Sequence, residues 1–263
     1  MTQTKPAGEV LREWRQRRRM TQLDLALDAD ISAKHLSFLE TGRAQPSREM
    51  VLNLAERLEM PLRERNSLLV AAGFAPVFGE RSLSDRSLAK AREAVELVLK
   101  GHEPYPAIAV DRHWNLVSAN KPVGILMGVA SPALLKPPVN VLRLSLHPEG
   151  LASKIVNYHE WRAHLIARLK RQVDLTGDAK LAELLREISA YPMPSRSVVP
   201  IREGNADDVV VPLQFETHAG RVSLFSTMTI FGSPVDVTLS ELAIESFFPA
   251  DSETAGILRK ISE

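Results

Sequence analysis

Residues 21–46 read TQLDLALDADISAKHLSFLETGRAQP, and this stretch predicts a helix, a tight turn and a second helix. Thr21 is suited to N-cap the first helix, and Asp24 three residues on completes a capping-box-like pair over its unpaired amides. Leu23, Leu25, Ala26 and Leu27 supply the apolar surface. Ala26 is small enough to let another helix cross closely. Ser32 is a natural N-cap for the next helix, in which Leu36, Phe38 and Leu39 recur at helical spacing. Gly42 then acts as a stop, and Pro46-Ser47 opens a further helix.

Upstream, residues 1–7 read as disordered, and a helix is expected from about Gly8 to Arg19 with Val10, Leu11 and Trp14 as its buried stripe. Downstream, a helix from Ser47 turns Met50, Val51, Leu54, Ala55 and Leu58 inward, and a fifth from Pro61 carries Leu62, Leu68 and Leu69. These five helices make residues 1–76 a complete small α-domain. Residues 77–103 read as a linker followed by a connecting helix. Its apolar positions Leu88, Ala91, Val95, Val98 and Leu99 suit it either to join domains or to pair subunits.

Residues 104–263 have a different texture. Ala107–Val110 and Trp114–Ala119 read as strands around the turn Asp111-Arg112-His113. Asn120 and Asn140 open helices, Asn157–Val173 is a long amphipathic helix, and Asp178–Ser189 is another. Val209–His218 and Arg221–Phe231 read as a hairpin around Ala219-Gly220. Leu239–Phe247 has no clear periodicity, and Ser252–Ile261 reads as a closing helix. The expected architecture is two-domain, with an all-α head and an α+β body in which helices cover a small antiparallel sheet.

The 44% apolar and 25% charged fractions are those of an ordinary globular chain. Cysteine is absent, which excludes disulfides and thiolate chemistry and fits a reducing compartment. With no apolar run near about 18 residues and no signal-like N-terminus, a cytoplasmic protein without a membrane partner is expected. The net charge of +1 conceals an asymmetry: residues 1–48 hold nine basic against six acidic residues, and residues 202–263 hold four against ten. A basic front bearing Arg15, Arg17, Arg18 and Arg19, with an acidic tail, suits a head that meets phosphates and a body held away from them.

At Thr21, Gln22, Leu25, Ala26, Ile31, Ser32, Leu36, Ser37, Glu40, Gly42 and Pro46 the chain resembles the XRE/Cro-like helix-turn-helix repressors. The resemblance implies a lambda-repressor-like DNA-binding domain with a double-stranded operator as partner, bound by a homodimer in the nucleoid. Where that family usually has Gly between the helices this chain has Asp30, which tolerates a left-handed backbone better than most residues. Ser32 starts the implied recognition helix, so Ala33, Lys34, His35 and Phe38 are the candidates to reach base edges. Lys34 suits guanine O6 and N7, His35 a base or a phosphate, and Ala33 or Phe38 a thymine methyl, unless Phe38 packs in the core. Gln22 matches the family position that contacts the DNA backbone and supports the reading residues. Ser37 and Arg43 are candidate phosphate contacts, whereas Glu40 suits a structural pair with Arg12 or Arg15.

The second half resembles MmyB-type transcription regulators, whose ligand-binding domain is PAS-like. The resemblance lies in AVDRHWNLVSAN (109–120), NVLRLSLHPEGL (140–151), NYHEWRAHLIARLKR (157–171), VPLQF (211–215), LFSTMTIFGSPVDVTLSELAIESFFPAD (224–251) and TAGILR (254–259). It implies a sensor domain, in some members with a fatty-acid-like ligand between sheet and helices. Trp161, Leu165, Leu169, Val211, Leu213, Phe225, Met228 and Ile230 are candidates to line such a pocket, with Arg162 or Arg168 as a carboxylate anchor.

Catalytic and metal chemistry find little support. His159 and His164 are five residues apart, not the about three or four that put two ligands on one helical face. His147 adds no matching spacing, and Asp207-Asp208 has no base partner in sequence. No catalytic residue, metal or cofactor is assigned, the resemblance implying only a bound fatty acid or similar apolar ligand. A ligand-responsive regulator is the expectation. The alternatives are a regulator whose second domain is only a dimerisation scaffold, and an enzyme tethered to a helix-turn-helix.

Overall fold

The computed structural model describes residues 5–194, 211–232 and 236–262. Val209, Val210 and the Asp207-Asp208 pair lie outside the described residues. The chain forms two compact units, the first holding residues up to 82 together with Asp236–Ser240, the second holding 83–232 and 241–263.

The first unit is built from α1 (Ala7–Arg17), α2 (Gln22–Asp28), α3 (Ala33–Glu40), α4 (Arg48–Arg57) and α5 (Leu62–Ala71). Local chemistry fixes the ends of these helices. The Asp24 amide donates to Thr21 Oγ1 at 3.1 Å and the Thr21 amide to Asp24 Oδ2 at 2.8 Å, a closed capping box. Ser32 Oγ accepts from the His35 amide at 3.1 Å, and Ser47 Oγ from the Met50 amide at 3.2 Å. Between α2 and α3, Asp30 adopts φ 55°, the left-handed geometry the turn requires. Leu11, Trp14, Leu25, Leu36, Leu39, Leu54, Leu58 and Leu69 form the core.

Two contacts bring α1 onto α3. A Cβ added to Gly8 would lie 2.4 Å from the Leu39 carbonyl oxygen, so the helices approach where a side chain is missing. Beside that crossing Arg15 meets Glu40 through two bonds, Nε to Oε1 at 2.6 Å and Nη2 to Oε2 at 2.9 Å. The pairing expected of Glu40 with Arg12 or Arg15 is thus made by Arg15.

The second unit starts with α6 (Ala89–Gly101), preceded by a single 3-10 turn at Arg86–Leu88. There follow β1 (Ala107–Val110), β2 (Leu116–Ala119), α7 (Lys121–Met127), α8 (Val141–Leu146), α9 (Tyr158–Thr176), α10 (Ala179–Ser189), β3 (Leu213–Thr217) and β4 (Gly220–Ile230). The connection after β4 carries α11 (Val237–Ser240), which belongs to the first unit: the Val237 amide donates to Gly79 O at 2.8 Å and Thr238 Oγ1 to Arg81 O at 2.6 Å. β5 (Ala243–Pro249) and α12 (Ser252–Ser262) complete the second unit.

The sheet order is β2-β1-β5-β4-β3, antiparallel throughout, an arrangement of the PAS-like type. β5, in the stretch that sequence periodicity leaves unassigned, is its central strand. Alternation divides the side chains. Ile108, Val110, Phe215, Val222, Leu224 and Phe247 face the principal core with α7, α8, α9, α10 and α12. Ala107, Ala109 and Ile244 face the other way, against Val95 and Leu99 of α6. The helix read as a connector therefore covers one face of this sheet. Asn120 knits the corner: its Oδ1 accepts from the Ala107 amide at 2.9 Å, and its Nδ2 donates to Leu99 O and Tyr105 O. A buried amide so satisfied costs little.

Candidate nucleic-acid interface and apolar cavity

Helix α3 starts at the Ser32 cap and presents Lys34 exposed, with His35 and Ser37 half-buried. Phe38 lies outside the buried core, half-buried on the helix surface. The Lys34 ammonium lies 5.7 Å from its ring centroid and the Arg43 guanidinium 5.9 Å. Two cations and an aromatic edge thus share one patch, and Arg43 is exposed in the following loop. Ala33 packs against the domain core, which limits its reach toward a base. Gln22 Nε2 donates to Glu40 Oε2 at 2.8 Å, so Gln22 is held by the same carboxylate that anchors Arg15. That bond couples the start of α2 to the end of α3.

The arginine cluster on α1 is largely committed inside the domain. Arg15 is taken up by Glu40, and its Nη1 also donates to Met20 O at 2.8 Å. Arg18 donates from Nε to Leu58 O and from Nη2 to Glu59 O, both at 2.8 Å, placing a cation just past the C-terminus of α4 where the helix dipole favours it. Arg17 and Arg18 also lie over Trp14, 5.1 and 5.4 Å from its ring. The basic front is therefore weaker toward phosphates than the residue count suggests.

In the second unit a cavity of about 100 Å³ opens between the sheet and α7, α8 and α9. Among the described residues its lining is apolar apart from two: Pro106, Ile108, Val123, Leu126, Met127, Val141, Leu142, Leu144, Leu151, Trp161, Leu165, Leu213, Leu224 and Phe247, with Ser145 and Glu245. That volume holds several methylene-sized groups. Trp161 Nε1 donates to Ser145 Oγ at 3.0 Å, fixing two wall residues against each other. Glu245 projects from β5 into the principal-core side and is only 4% exposed. Its Oε1 accepts from Arg168 Nη1 at 2.8 Å and from Ser226 Oγ at 2.9 Å.

The structure sorts the expected lining residues. Trp161, Leu165 and Leu213 are on the wall. Leu169 is solid core, and Val211 packs at its margin. Phe225 sits on the opposite face of the sheet, stacked on Phe248 at 5.4 Å between centroids, because it is one residue out of phase with Leu224. Met228 and Ile230 are exposed beyond the cavity. Neither arginine is on the cavity wall: Arg162 Nη2 donates to Ser189 O at 2.7 Å while its buried Nε has no partner among the described residues, and Arg168 bonds Glu245 and Met228 Sδ while its guanidinium lies 4.4 Å from the Trp114 ring centroid. The polar wall residues that sequence reading misses are Ser145 and Glu245.

Other polar groups are structural. Arg143 grips Glu187 with two bonds of 2.6 Å, and the Arg143 hydrogen bonds hold the Glu187 carboxyl below its ordinary value. His113 Nε2 and Arg112 both reach Asp178, the N-cap of α10. His164 stacks on Trp161 at 5.5 Å, and burial lowers its pKa, so it brings no charge to the cavity flank at neutral pH. Among the described residues no group of three or more His, Asp or Glu is placed to hold a metal, and no helix is long and apolar enough to cross a membrane.

A family model described as the MmyB-like transcription regulator ligand binding domain matches residues 91–261. The chain belongs to the MmyB-like transcription regulators. A second model, described as a helix-turn-helix domain, matches residues 7–68, the five-helix head. Among curated proteins no match was found. For an MmyB-like regulator the two units take distinct tasks: the head has DNA as its partner, and the body has a small molecule.

Proposed function

We propose that the protein is a one-component regulator that reads a specific operator as a homodimer and whose operator affinity is set by a small molecule in the sheet–helix cavity. Lys34 and His35 of each protomer would read base edges in inverted half-sites about one helical turn apart, with Gln22, Ser32, Ser37, Phe38 and Arg43 on phosphates and neighbouring groups. A dimer is favoured because Arg15 and Arg18 are spent internally, so one head offers few phosphate contacts. The protein would act in the cytoplasm, on the nucleoid, and without catalysis.

The observation that carries ligand sensing is the apolar cavity between sheet and helices. A mere scaffold would gain stability by filling it, since an empty space lined by leucine forfeits packing. The ligand is small and apolar over most of its length, as a fatty-acid-like molecule is. Control of DNA binding then requires that the ligand prefer one of two arrangements of the protein.

The test is mass spectrometry of the solvent extract of purified, denatured protein, expected to yield an apolar small molecule in near-stoichiometric amount. A protein that carries no ligand, and that no apolar compound stabilises, would reduce the second unit to a scaffold. For the head, Lys34→Ala with His35→Ala should weaken operator binding and relax base preference. An unchanged footprint would refute their role.

A further inference from the structure

We propose, resting on the cavity as the ligand site, that the segment Asp236–Ser240 is the relay through which a bound ligand alters the DNA-binding head. β4 and β5 are adjacent, and Ile230 at the end of β4 pairs with Ala243 at the start of β5. A hairpin loop of about two to five residues would join such strands. The chain instead spends residues 231–242 on the connection and gives part of it to the head. There Asp236 forms a bridge beside Gly79, the Val237 amide donates to Gly79 O at 2.8 Å, and Thr238 Oγ1 donates to Arg81 O at 2.6 Å. Asp236 Oδ1 accepts from the Thr238 amide at 2.9 Å, and Val237 is fully buried. The stretch that receives the segment is itself pinned to α5. Asn66 Oδ1 accepts from the Val77 and Phe78 amides at 3.0 and 3.1 Å, and its Nδ2 donates to Phe78 O at 2.7 Å. α11 also packs against α5.

In the body, one apolar cluster gathers every passage of the chain between the units. The passages follow Ser82, Gly232 and Ser240, and Leu83, Phe231 and Leu242 beside them all belong to the cluster formed with Val95 and Leu99 of α6. It lies on the sheet face opposite the cavity. Ile108 and Glu245 pair across β1 and β5 on the cavity wall, and the next pair, Ala109 and Ile244, lies in the cluster. Side chains alternate along a strand, so a ligand that displaces β5 from the cavity face also displaces the cluster face. Close-packed groups pass such a shift on rather than absorb it, and β5 runs directly back into the Asp236–Ser240 segment.

The experiment uses the full chain, an operator duplex selected from random DNA, and decanol and decanoate as probes. Titration calorimetry reads probe affinity with and without the operator, and by linkage that ratio equals the effect of the probe on operator affinity. The unaltered chain should give a ratio of about 5–150 in either direction. Val237→Ala with Thr238→Val, which strips a buried side chain and a hydroxyl donor from the segment, should bring the ratio to about twofold or less while probe affinity without DNA holds. Thr238→Val alone keeps the shape and should shrink the ratio at least about threefold, which decides the matter if the double variant does not fold. Val51→Ala removes packing from an equally buried valine of α4 and should destabilise the head yet keep the ratio. A ratio retained in both segment variants would overturn the relay and leave the cavity as the ligand site. A ratio lost as fully in Val51→Ala would also overturn it, by tying the effect to head stability alone. A ratio of one in the unaltered chain with probe bound, or no saturable binding of either probe, would instead overturn the underlying reading of the cavity.

Discussion

Replacing Glu40 by alanine removes the carboxylate on which three donors converge: Arg15 Nε at 2.6 Å, Arg15 Nη2 at 2.9 Å and Gln22 Nε2 at 2.8 Å. The side chains of Arg15 and Glu40 are 10% and 2% exposed, so little water can replace the lost acceptors. The guanidinium would keep only its bond to Met20 O. Breaking a buried pair from one side costs about 3–5 kcal/mol. The surviving carbonyl contact and the slight exposure of Arg15 place this variant near 3. For a head of this size that corresponds to a fall of about 12–24 °C in its melting temperature. Urea unfolding of the full chain in a Trp114→Phe, Trp161→Phe background, which leaves buried Trp14 as the fluorophore of the head, reads the loss. The pair Arg15→Met with Glu40→Leu should recover most of it, because no charge is then left buried. A loss below about 1 kcal/mol, or a double variant no better than the single one, would refute the view that this ion pair clamps α1 to α3.

Other expectations follow from single contacts. Arg43→Ala should weaken binding about equally across sequences and reduce the salt slope by about one, whereas Lys34→Ala should cost about 1–3 kcal/mol mainly on the preferred base; titrations at several salt concentrations separate the two. Asp30→Gly should stabilise the head by about 0.5–1 kcal/mol in thermal unfolding, because Asp30 holds φ 55° where an L side chain is strained. Glu187 has its pKa lowered from 4.5, chiefly by the hydrogen bonds of Arg143. Its contribution is therefore fully present above about pH 5 and is lost as pH falls through its folded-state pKa. Glu187→Gln should be the less stable protein at pH 7 and should lose less on acidification, as measured by unfolding at pH 7 and pH 3.

The head was legible because its signals are local. Thr21, Asp24 and Ser32 cap helices within three residues of themselves, and Asp30 reports its own backbone. What stayed hidden was where long side chains end. Arg15 and Arg18 count as basic in the sequence, yet they terminate on Glu40 and on the Leu58 carbonyl just past α4. In the body, β1, β2 and the β3–β4 hairpin could be read from alternation and turn residues. The central strand β5 could not, because Glu245 occupies a position that alternation reserves for an apolar residue. A pattern broken in a core strand is expected where a site is built. The surroundings of Arg168 were hidden for a related reason: sequence places it on a helix but cannot show that Glu245, on a strand distant in sequence, is its partner.

The central claim, that occupancy of the cavity sets operator affinity, is tested most directly by one pair of titrations. An operator is first selected from random duplex DNA with the full chain, and its dissociation constant is then measured by fluorescence anisotropy with and without saturating decanol. A coupling in the usual range would shift that constant by about 5–150-fold. An identical constant in the two titrations, with calorimetry showing the cavity filled, would contradict the account.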